Sequence, residues 1–281
     1  MKSLLLFLVL LCVWPCAANA QEEPLLQVYS RDGGEYLDAS PLPLHGEEWR
    51  WLQERERLIM GVPRPDNPPM DITLRANAYE GVTADIVGML THLLHIDIMV
   101  KGYPSRAAAI EALKRGEIDL LSASNSYEQE QQLLLTDKYI ADDPAIYKNI
   151  RVKEREIKTV AVPEYYLPFM DIMRYLSDYK VKIYPSRYSA LSAVAYGQVD
   201  AVMVDMISGN FIVNKFYQNS VQLLKPLYID TDGFAFALNP KERRLKRIID
   251  IALGEILEGK RAEVAKRWNG GASPSVPAES T

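Results

Sequence analysis

Tyr103-Pro104-Ser105-Arg106 and Tyr184-Pro185-Ser186-Arg187 are the same four residues in the same order, 81 positions apart. The likeness continues beyond each copy. An alanine-rich helical stretch comes next, 107–114 in one copy and 188–196 in the other. Gly116 or Gly197 then stops it, as a residue at ease in the left-handed conformation commonly does. Three residues further on stands Asp119 or Asp200, succeeded by an apolar run with the character of a buried strand. One strand–helix–strand plan used twice at one spacing reads as two α/β lobes of similar design.

The rest of the chain fills in around these two copies. Residues 46–57 read as a short helix carrying Trp49, Trp51 and Leu52, and Leu58 to Val62 as a buried strand. Pro63 to Pro69 holds four prolines and must be loop. Residues 83–95 keep a helical period with Ile86, Met89, Leu90, Leu93 and Leu94 on one face. Strands are expected at 96–100 and 118–122, with a helix at 105–115 between them. In the second half, strands are expected at 159–162, 181–184, 201–204 and 234–238, and a helix at 167–176. Residues 241–258 read as one long amphipathic helix, with a second one after it reaching Trp268.

The termini and composition narrow the class. Lys2, the apolar run Leu4 to Val13 and the small residues Ala18-Asn19-Ala20 form a secretory signal, giving a mature chain from Gln21. Both cysteines, Cys12 and Cys16, fall inside it, so no disulfide or thiol chemistry is expected. Trp14-Pro15 before Cys16 does not suit a lipid anchor, and no later run is long enough to span a bilayer. The formal net charge is −5 without a basic block, which argues against nucleic acid. Residues 269–281 are mostly small residues and proline and are expected to be disordered.

Taken in order, several stretches resemble the family 3 extracellular solute-binding proteins, the type II periplasmic binding fold. These are Leu58 to Val62 with Pro68 to Ile72, Tyr79 to Asp85, Tyr103 to Leu121, Leu191 to Asp205 and Phe234 to Leu238. Within that family the motifs are most similar to the Venus-flytrap sensor domains of BvgS-type hybrid histidine kinases. The resemblance implies an α/β two-lobed flytrap with two crossover hinge strands, near Ala141–Tyr147 and Pro226–Phe234. It divides the chain into a signal peptide (1–20), an N-terminal extension (21–45), lobe 1 (46–143), lobe 2 (144–230), a return to lobe 1 with C-terminal helices (231–268) and the tail. A monomer in the periplasm is expected, closing on a small molecule for a membrane transporter or sensor kinase.

The resemblance also suggests where a ligand would sit. In amino-acid-binding members a first-lobe segment supplies hydroxyls and an arginine that grips the ligand carboxylate. Here it reads Ser122-Ala123-Ser124-Asn125-Ser126-Tyr127-Glu128-Gln129, so Ser122 and Ser124 are candidates and Gln129 replaces the arginine. A standard α-amino acid is therefore not expected. The second-lobe anion turn is replaced by Val162-Pro163-Glu164-Tyr165-Tyr166. Asp205, which takes the ligand ammonium in amino-acid binders, is retained and is also a natural helix N-cap. Arg106 is a candidate source of positive charge, and Arg64, Asn67, Tyr79, Tyr165 and Tyr166 are further cleft candidates. His45, His92 and His95 lack the neighbours of a metal set, and no nucleophile, phosphate-loop or cofactor motif is present. No enzyme activity, cofactor or metal is expected.

Overall fold

The computed structural model describes residues 24–31, 41–74, 77–228, 233–256 and 258–269. The signal read at 1–20, with its two cysteines, and the tail beyond residue 269 lie outside the described residues.

Two sheets organise the chain. The first is built from β1 (Leu25–Val28), β2 (Arg57–Pro63), β3 (Ile72–Leu74), β4 (Ala78–Glu80), β5 (Asp97–Tyr103), β6 (Leu120–Ser124), β7 (Leu134–Leu135) and β13 (Ala235–Leu238). These eight strands lie in the order β3-β4-β1-β5-β2-β6-β13-β7. The second is built from β8 (Pro144–Asn149), β9 (Thr159–Pro163), β10 (Lys180–Tyr184), β11 (Ala201–Asp205) and β12 (Val221–Pro226). These five lie in the order β10-β9-β11-β8-β12. The helices are α1 (Gly46–Arg55), α2 (Val82–Leu94), α3 (Arg106–Arg115), α4 (Ser126–Glu130), α5 (Phe169–Leu176), α6 (Arg187–Ala195), α7 (Met206–Ile212), α8 (Arg243–Glu255) and α9 (Glu258–Asn269). The N-terminal extension contributes a strand of its own, β1, which pairs with both β4 and β5. The two C-terminal helices stand where they are expected, the first ending at Glu255 because Ile256 leaves the helical conformation.

The duplicated tetrapeptide does the same work in both lobes. β2 and β5 run parallel and end with Pro63 opposite Tyr103, and β9 and β10 run parallel and end with Pro163 opposite Tyr184. The serine then caps the helix: Ser105 Oγ accepts from Ala108 N at 3.1 Å and Ser186 Oγ from Ser189 N at 3.0 Å. Gly116 and Gly197 close the helices at φ 76° and 72°, where a side chain would be strained. The aspartates three residues on fasten the start of the neighbouring strand. Asp119 Oδ2 accepts from Ile59 N at 2.8 Å, and Asp200 Oδ2 from Thr159 N at 2.9 Å.

The main core lies where α2, α8 and α9 cover the first sheet, with Ile86, Met89, Leu90, Leu245, Ile248 and Trp268 buried together. Trp268 Nε1 and Arg267 Nη1 both donate to Asp85 Oδ2 at 2.9 Å, which ties α9 to the base of α2. α9 also packs on α7, so the C-terminal helices touch both lobes.

The chain leaves the first sheet along 136–143 and returns through a segment that includes Gly233 and Phe234. These two crossovers are paired: Tyr139 N donates to Phe234 O and Phe234 N to Ile140 O, each at 2.8 Å. Gly233 is required there, since at φ 121° its Cβ would stand 2.2 Å from the Ile140 carbonyl oxygen. The first crossover sits slightly earlier than the expected 141–147, because Pro144–Asn149 is already a full strand hydrogen-bonded on both sides. Among the described residues, no helix is long and apolar enough to cross a membrane.

Candidate functional site

The carboxyl ends of the parallel strands in both sheets face one crevice. In open α/β sheets this is where loops and helix starts converge on a ligand. The first lobe contributes Pro63 to Asn67, Arg106, Ala123 and Asn125 to its wall, and the second contributes Glu164, Tyr165, Pro185, Ser186 and Arg187. The space is small, about 480 Å³ including the part open to solvent. Two wall residues, Ala123 (φ 42°) and Tyr165 (φ 56°), hold left-handed backbone without being glycine. Such strain costs on the order of 1–3 kcal/mol and gathers at ligand clamps.

The two lips touch. Asn125 Nδ2 donates to Tyr166 O at 2.8 Å, Ser208 Oγ meets Asn67 Oδ1 at 3.4 Å, and Tyr127 packs edge-on against Tyr165 at 5.8 Å between ring centres. The crevice is therefore held nearly shut by its own polar groups.

Both repeat arginines line it, and each is paired with an acid of its own lobe. Arg106 Nε donates to Glu128 Oε1 at 2.6 Å, while Nη2 reaches Ser122 O, Ala123 O and Ser124 Oγ at 2.9, 3.0 and 3.3 Å. Glu128 is fixed in turn by the Asn125 amide, which donates to Oε2 at 2.8 Å in a capping box at α4. Arg187 Nε donates to Asp205 Oδ1, and Asp205 Oδ2 accepts from Ser208 N at 3.0 Å, capping α7. The Arg187 guanidinium lies 5.1 Å from the centre of the Tyr166 ring, a cation–π contact.

A second carboxyl, half-buried, stands near Asp205. Asp142, on the first crossover, accepts from Ile207 N at 3.2 Å. Burial and the neighbouring Asp205 charge push its pKa up to about 9. In the first lobe, burial likewise raises Asp71, which accepts from Tyr79 Oη at 2.7 Å and Ser122 Oγ at 3.0 Å.

Of the ten residues selected from sequence, Arg64, Asn67, Arg106 and Tyr165 line the crevice. The others stand off its wall. Ser122 and Tyr79 are fully buried on Asp71, and Ser124 is fully buried beneath Arg106. Asp205 backs Arg187, and Tyr166 lies beneath it with a buried hydroxyl that has no hydrogen-bond partner among the described residues. Gln129 is exposed on α4. Ser122 and Ser124 share one reason: strand-end serines satisfy buried acceptors before they can reach a ligand. Sequence reasoning missed Arg187, Glu128 and Asp142. Arg187 had a signal, since it stands at the position of Arg106 in the second copy of the repeat. Among the described residues, no group of three or more His, Cys, Asp or Glu side chains could hold a metal.

Residues 58–271 match the model of the bacterial extracellular solute-binding proteins, family 3. The chain is 34% identical over 239 residues to the virulence sensor protein BvgS of Bordetella pertussis, covering 83% of this chain and 19% of that protein. It spans 19% to 21% of the length of the three BvgS relatives it matches. The crystal structure of the B. pertussis BvgS periplasmic domain superposes with a TM-score of 0.76 at 32% identity, over 89% of this chain and 49% of that one. The BvgS VFT2 domain alone superposes with a TM-score of 0.74 at 20% identity, over 81% of this chain and 99% of that one, a likeness of fold.

Proposed function

The chain belongs to the bacterial extracellular solute-binding proteins, family 3, and from that premise we propose that it is a periplasmic flytrap whose crevice takes a small polar ligand for a membrane partner. The observation carrying this reading is that both copies of the repeat deliver an arginine to one crevice walled by two lobes. A buried charge costs desolvation that an apolar residue of similar size would not, so the fold of either lobe alone gives no reason to keep one. Ligand contacts made only in the shut state would favour closure, which is the whole basis of a flytrap response.

Sensing is the favoured form of the partner's response, because the relative at 34% identity is a virulence sensor. Delivery to a transporter uses the same crevice. The activity proposed is binding, with no catalytic step. A standard α-amino acid fits poorly, since the Nε donors of Arg106 and Arg187 are already committed to Glu128 and Asp205. A ligand would have to displace one of these pairs or use Arg64, Asn67 and the rims of Tyr165 and Glu164.

A thermal-shift screen of amino acids, polyamines, organic acids and aromatic acids, on protein freed of co-purified ligand, tests this. A hit should raise the melting temperature of the native protein and of a Gln129→Ala control. The rise should be lost in Arg187→Ala or in Arg64→Ala, whatever each variant's own stability. A hit of equal strength in both variants would remove the crevice from the reading.

A further inference from the structure

Both anion-holding devices that the resemblance implies are missing from this chain. The arginine position carries Gln129, exposed on α4, and the second-lobe turn reads Val162 to Tyr166. The structure offers a substitute in another place, the guanidinium of Arg187 at the start of α6.

Arg106 and Arg187 differ in what they have left to give. Arg106 donates through Nε to Glu128 and through Nη2 to Ser122 O, Ala123 O and Ser124 Oγ. Only Nη1 remains, and one nitrogen cannot make the paired contact that suits a carboxylate. Arg187 donates through Nε to Asp205. Among the described residues its Nη1 and Nη2 have no hydrogen-bond partner, although the side chain is only 11% exposed. A nearly buried donor without an acceptor is costly, so this one points to an acceptor that arrives from outside. The position of the group is already fixed. Asp205 holds its Nε, and the rings of Tyr166 and Phe234 lie 5.1 and 6.0 Å from the guanidinium carbon. The two outer nitrogens therefore form a ready fork with little side-chain freedom left to lose.

The surroundings set what the acceptor can carry. The enclosed part of the crevice is about 40 Å³, room for about three water molecules at ~10–15 Å³ each. Both oxygens of Asp205 are engaged, Oδ1 by Arg187 and Oδ2 by Ser208 N, so the acid beside the fork is not open to an ammonium. Asp66 and Glu164 stand on the same wall and oppose a second negative charge.

Resting on the reading of the crevice as the ligand site, we infer that its ligand is a short monocarboxylate without an α-ammonium, gripped end-on by Nη1 and Nη2 of Arg187. Arg64 and Asn67 line the crevice from the first lobe and complete the enclosure. Arg187 packs on Phe234 of the return crossover, so an occupied fork is tied to the segment on which the lobes move.

Amide NMR titrations of the whole chain with propionate, propionamide, L-alanine and malonate, small molecules of one skeleton, test the inference. Propionate should give saturable shifts at Asn67, Tyr165 and Arg187. Propionamide removes the charge and L-alanine adds the ammonium, and each should bind at least about tenfold more weakly. Malonate, with its second carboxylate, should bind about threefold more weakly. Arg187→Lys keeps a positive charge for Asp205 but loses the fork, and should weaken propionate about tenfold. Gln129→Ala should leave propionate unchanged. The ligand series is read on the native protein and holds even if Arg187→Lys folds poorly. Propionamide or L-alanine binding as tightly as propionate, or undiminished propionate binding in Arg187→Lys, would overturn the inference and leave the crevice as the site. Saturable shifts from none of these molecules would overturn it too. A hit from the wider screen at the same lips would then keep the crevice reading, and no hit there would end both.

Discussion

Ser124 and Asp205 stand at the same point of the repeat, each at the end of a central strand and each touching its lobe's arginine. The two lobes solve one electrostatic problem differently. In the second, Asp205 supplies the charge directly. In the first, the strand ends in a hydroxyl, and the charge comes from Glu128, one turn further along the chain. The arginine is what both lobes keep. A feature preserved while its support changes points to the crevice, where the arginines meet, as the reason for it.

The largest effects should come from breaking these pairs. Removing one member of a buried ion pair costs about 3–5 kcal/mol, because the other charge is left without a partner. Glu128→Gln and Asp205→Asn should each lower stability in denaturant titrations by up to that amount. A graft sharpens the contrast between the lobes: Ser124→Asp added to Glu128→Gln gives the first lobe the arrangement of the second. It should recover at least half of the loss. A double variant no more stable than Glu128→Gln would show that the two arginines are not equivalent.

The hinge should be nearly as sensitive. Gly233→Ala forces a side chain against Ile140 in a left-handed conformation. The expected cost is about 2 kcal/mol or more, from strain and clash together. It should appear as increased amide exchange at Ile140 and Phe234.

Asp142 on the crossover and Asp71 in the first lobe are both raised by burial, and each should leave its own mark on the pH response. With its pKa raised to about 9, Asp142 stays protonated in the native protein over a range in which it is ionised when unfolded. Unfolding then releases a proton. Stability from this group is therefore full at acid pH and falls as pH rises from the ordinary carboxylate range towards 9, at up to about 1.4 kcal/mol per unit. Asp142→Asn should flatten that slope in melts run from about pH 5 to about pH 9, values chosen to lie inside this window. An unchanged slope would assign it to other groups.

The smallest effects should be equal in the two lobes. Gly116→Ala and Gly197→Ala meet no neighbouring atoms, so each should cost only the left-handed penalty of about 1 kcal/mol.

The repeat made the lobe plan legible, because turn, cap, terminator and strand clamp are local chemistry at fixed spacing. Ser105, Gly116 and Asp119 act through neighbours a sequence can show. The pairing of Arg106 with Glu128 was beyond reach, since the two residues stand 22 positions apart and only the fold brings them together. Ser122 and Ser124 misled for the same reason: their partners, Asp71 and Arg106, are distant in the chain. Asp142 carries no local signal at all, because its burial arises only when the crossover packs against the start of α7. Arg187 was legible, because it occupies in the second copy the position of Arg106 in the first.

The most direct test is amide hydrogen exchange on the whole protein, with and without the strongest hit from the thermal-shift screen. Residues 64–67 and 164–167 should gain protection together, along with Phe234 on the crossover. Protection of one lip alone, or of neither while the ligand still binds, would contradict a crevice that closes on its guest.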